Sequence, residues 1–67
     1  MNKLQLKNLE RECIRKSHGK ATKYAALVKG NSAVVISAKD TTRYSHYLRE
    51  GYTHIMSAID GNVMELF

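Results

Sequence analysis

From Tyr24 to Lys39 the chain is mostly small and apolar, interrupted midway by Gly30-Asn31. Val34-Val35-Ile36 is its densest β-branched stretch, and such side chains fit a pleated, half-buried surface. Gly-Asn between two apolar runs is a hairpin signal, because glycine takes the positive φ that a type II′ or related turn requires. With Gly30 and Asn31 as the loop, Val28 faces Ala33, Leu27 faces Val34, Ala26 faces Val35 and Ala25 faces Ile36. Both faces of this hairpin, residues 24–38, are then apolar, and both must be covered.

The flanking segments supply the cover. Over residues 3–17, Leu6, Leu9 and Cys13 recur at helical spacing and Ile14 widens the stripe, which predicts an amphipathic helix ending near Gly19. Residues 15–23 are polar and basic and read as the loop into the first strand. After the hairpin, Asp40 or Thr41 is a suitable N-cap for a helix over 42–50, with Tyr44, Tyr47 and Leu48 on one face and Gly51 in the C′ position. The final stretch, residues 53–67, supports two readings. Asp60-Gly61 between apolar runs predicts a second hairpin, whereas Ile55, Ile59, Val63 and Leu66 also fit a helical stripe. Asp-Gly-Asn are poor helix formers in succession, which favours the hairpin.

The resulting expectation is a small single α+β domain over residues 1–67 in the order α-β-β-α-β-β, its two short helices packed on an antiparallel sheet. Both helices are placed on one face, leaving the other for a partner or a second copy. At 67 residues the chain buries a small core, and domains of this size depend on disulfides, metals or oligomerisation. Cys13 is the sole cysteine, so no internal disulfide forms. His18, His46 and His54 lack zinc-ligand spacing. A homodimer is therefore expected. No cofactor is expected, and no run approaches the roughly 20 apolar residues of a membrane span. A lone thiol without an export signal suggests the cytoplasm.

Charge sharpens the functional expectation. The net charge is +5, but residues 1–39 carry +7 and residues 40–67 carry −2. Such polarity suits a polyanion, and equally an acidic protein surface. Arg11, Arg15, Lys16, Lys20 and Lys23 are the candidate phosphate contacts, on the end of the first helix and the loop after it. Arg43 and Arg49 lie on the free surface of the second helix, whose tyrosines are needed for the core. Catalytic patterns are thin: Ser45-His46 are chain neighbours, a poor nucleophile–base geometry, and Gly19-Lys20-Ala21-Thr22 lacks the residues of a phosphate loop. A non-catalytic protein that binds DNA or RNA is expected. The alternative is a protein-binding regulator or inhibitor, of the type found on mobile elements, docking through its sheet face or edge.

Overall fold

A computed structural model describes residues 2–67. Its elements follow the expected order: α1 (Lys3–Ser17), β1 (Tyr24–Lys29), β2 (Ser32–Ser37), α2 (Thr41–Arg49), β3 (Thr53–Ile59) and β4 (Asn62–Leu66). The strands form one antiparallel sheet, ordered β2-β1-β3-β4. The register of the first hairpin is the one its loop implies, from Lys29 opposite Ser32 to Tyr24 opposite Ser37. Residues 53–67 form the second hairpin and not a helix; Asp60 and Gly61 both take positive φ, 48° and 78°, as a type I′ turn demands.

The helices lie on opposite faces of the sheet, not together on one. Tyr24, Ala26 and Val28 face α1, where Leu9 and Cys13 join Met56 and Ala58 in the core. Ala25 and Leu27 point the other way, beside Ile36, Ser57 and His54, and there Tyr44 of α2 bonds His54. The cause is visible in the strands. Ala25-Ala26-Leu27 and Met56-Ser57-Ala58 are each buried throughout, so the sheet centre is apolar or shielded on both faces and needs a helix on each. The path from β2 to β3 passes over β1, and α2 makes that crossing on the face α1 leaves free. Leu48, expected to face the core, is instead 43% exposed, and α2 rests on Tyr44 and Tyr47.

Small residues set α1 close to the sheet: Cys13, Ser17, Ala26 and Ala58 are all fully buried. Both ends of the helix are fastened. Asn2 accepts from the Gln5 N–H (2.9 Å) while Gln5 Oε1 accepts from the Asn2 N–H (2.8 Å), a capping box. At the other end Ser17 Oγ accepts from the Gly61 N–H (3.1 Å) and Asp60 Oδ1 accepts from the Gly19 N–H (3.0 Å). The β3–β4 turn therefore holds the C-terminal end of α1, which fixes how its outer face is presented.

Candidate nucleic-acid interface

The core side of α1 runs through Leu9, Cys13 and Ser17, so the opposite side is set by helical geometry. Lys3, Lys7, Arg11 and Arg15, spaced four residues apart, are all exposed there. At 1.5 Å rise per residue they stand about 6 Å apart along the axis and form a cationic ridge about 18 Å long. Lys3, Lys7 and Arg11 have no ion-pair partner among the described residues. Arg15 is held by both oxygens of Glu12, at 2.8 Å each, and Lys16 approaches the same carboxylate at 3.7 Å. The bond from Arg15 holds the Glu12 carboxyl below its usual range, and the same bond raises the arginine. One acid thus meets two bases, and the helix end stays positive.

The seven residues singled out by sequence do not form a single patch. Arg11 and Arg15 belong to the ridge. Lys16 and Arg43, distant in sequence, line with Glu12 a cleft of about 300 Å³ beside Leu9 and Ala33-Val34-Val35. Lys20 is exposed beside the β3–β4 turn. Lys23 is turned to the α2 face, where its Nζ bonds Glu65 at 3.1 Å. Arg49 is exposed in the last turn of α2. Lys3 and Lys7 do not stand out by local charge density; the four-residue spacing from Lys3 to Arg15 is the signal that places them.

A second polar group lies on the α2 face. His54 Nε2 is 2.9 Å from the Met56 carbonyl and 2.8 Å from Ser57 Oγ, and its Nδ1 is 3.1 Å from the Tyr44 hydroxyl. A carbonyl only accepts, so Nε2 carries the proton and Nδ1 accepts from Tyr44 in the neutral ring. The nitrogen facing Ser57 is a donor, which is the wrong state for a base that would activate that hydroxyl. Ser57 is also 0% exposed. The cluster reads as a strut joining α2 to β3 and, through Ser57, Glu65 and Lys23, to β4 and the residue that leads into β1. Among the described residues no His/Cys/Asp/Glu cluster has metal-site geometry, and no helix is long and apolar enough to cross a membrane. The Cys13 thiol donates to the Tyr24 carbonyl at 3.5 Å, and burial pushes its pKa up.

No protein-family model, curated protein or solved structure matches this chain.

Acid tests the strut. Lys23, and then the Ser57 hydroxyl, hold the Glu65 carboxyl below the usual carboxylate range. A carboxyl depressed by folding contributes stability above its unfolded pKa and loses it as pH falls through the folded value. Glu12 acts in the same direction. Thermal melts from neutral pH down through the carboxylate range should therefore show a falling Tm, and Glu65→Gln should lower Tm at neutral pH while flattening the acid limb. An acid limb as steep as the wild type's would assign the effect to other groups.

Proposed function

We propose that the protein is a small, non-catalytic nucleic-acid-binding domain that lays α1 along a phosphate backbone, working as a homodimer in the cytoplasm. The observation that carries this reading is the ridge Lys3-Lys7-Arg11-Arg15, exposed along its length and for three of its four members free of acidic partners among the described residues. Long flexible cations on a rigid helix suit a polyanion better than a small ligand, because each phosphate is met separately while the spacing stays fixed. Lys16 and Arg43 extend the positive surface toward β2. The ridge offers charge without a base-reading device, so the domain is assigned affinity for the backbone and no sequence preference. The dependence of binding on salt tests this directly.

One observation favours a protein partner instead. Leu66 and Phe67 are each 73% exposed and border an apolar groove with Leu6, Ile55 and Met56, between α1 and β4. Exposed apolar surface of this kind marks interaction sites. A regulator that docks here would lose its partner on Leu66→Asp while any binding through the α1 ridge stays unchanged. A variant that keeps its partner removes this alternative.

A further inference from the structure

The geometry points to β2 as the edge by which two copies of this chain join, antiparallel, with Val35 on the two-fold axis. β2 is an outer strand, bonded to β1 on one side only. The Ala38 N–H donates to the Lys23 carbonyl at 2.8 Å, so Ala38 turns its backbone toward β1. Alternation along the strand turns Ile36, Val34 and Ser32 the same way and leaves Ala33, Val35 and Ser37 facing outward. The Ser37 carbonyl is taken by the Asp40 N–H at 3.0 Å. Both backbone groups of Ala33 and Val35, and the Ser37 N–H, remain unpaired among the described residues.

A two-fold axis perpendicular to the sheet at Val35 satisfies these groups. Val35 exchanges both bonds with the partner's Val35, and the Ser37 N–H meets the carbonyl of the partner's Ala33. Between them Val34 stands opposite the partner's Ile36. Each residue meets one on its own face, as antiparallel pairing requires. The strand itself is suited to pairing: β2 contains no charge and no proline, and it pairs with β1 without a bulge. The other outer strand differs. In β4 the register shifts so that Met64 is an extra residue, and a bulge of this kind bends an edge away from further pairing. For so small a core, a joined sheet adds to the area buried.

The same axis places both α1 helices on one face of the joined sheet, with both ridges pointing the same way. This consequence rests on the nucleic-acid reading, whereas the pairing does not.

Sedimentation without nucleic acid tests the pairing alone. The wild type should sediment as a dimer, and Val35→Pro, which removes an outward N–H and no bond to β1, should sediment as a monomer with its helical circular dichroism retained. Val35→Cys should form a disulfide-linked dimer under mild oxidation, since facing residues of a hydrogen-bonded antiparallel pair stand about 5.5 Å apart at Cα, within disulfide range. Met64→Cys should stay monomeric in the same gel. If Val35→Pro unfolds, the cysteine pair decides. A wild type that is monomeric at every concentration, a folded Val35→Pro dimer, or cross-linking through Met64→Cys in place of Val35→Cys would each overturn the proposal. None of these results bears on whether α1 binds phosphate.

Discussion

Replacing Leu27 with alanine is expected to destabilise the domain by about 2–5 kcal/mol, the range for truncating a buried leucine. Leu27 is 0% exposed, in the central strand, between Val34 of β2 and His54 of β3. At roughly 0.05–0.15 kcal/mol per residue, a chain of this length has a total of about 3–10 kcal/mol. One truncation therefore removes a large share of it. With about 4–8 °C lost per kcal/mol in a small domain, Tm should fall by about 8 °C or more. The same change at Leu66, which is 73% exposed, should stay within about 0.5 kcal/mol. Urea titrations of both variants check this. A Leu27→Ala variant that loses less than about 1 kcal/mol, well below the buried range, would mean that α2 does not seal that face, and that the second face of the sheet is open after all.

Reversing two charges in the middle of the ridge, Lys7→Glu with Arg11→Glu, is expected to weaken duplex binding by on the order of 10- to 100-fold at low salt. It should also reduce the steepness of the salt dependence by about 2, since each phosphate contact on duplex DNA contributes about 0.9 to the slope. The fold should be unaffected. Both positions are exposed, and lysine, arginine and glutamate have similar helix propensity. The carboxylate introduced at position 11 would also stand in favourable i, i+4 order to Arg15. Lys39→Glu with Arg49→Glu makes the same change of net charge away from the ridge and should change affinity far less. Anisotropy titrations of the two pairs side by side separate a located interface from a general effect of net charge. Equal losses in both would deny α1 its role.

Much of the fold is legible because it is written in local signals. Gly30-Asn31 and Asp60-Gly61 are turn dipeptides whose backbone demands few residues meet; each places its hairpin, and the first also sets its register, whereas the β3–β4 register shifts at Met64. The stripe through Leu9 and Cys13 places α1. The arrangement of layers is harder to read. That both faces of β1 are apolar is evident from Ala25-Ala26-Leu27, yet which helix covers which face depends on the β2-to-β3 crossover, a non-local fact. Tyr44 packs as its place on the helical stripe implies, but its hydroxyl ends on His54, and no spacing rule links residues on α2 and β3. Of the candidate interface, charge density reveals Arg11 and Arg15, whereas Lys3 and Lys7 require the helical period to be applied to the polar face as well as the apolar one. Lys23 looks equivalent to its neighbours in sequence and is not, because strand alternation turns it to Glu65 on the far face.

Whether α1 holds a phosphate backbone through its ridge is decided by the affinity of the wild-type protein for a labelled DNA duplex across a series of salt concentrations. Log affinity should fall linearly with log salt, with a slope of about −3 to −4 for three or four ridge contacts per copy on a duplex. Absence of binding at low salt, or binding whose strength does not change with salt, would contradict that role for α1.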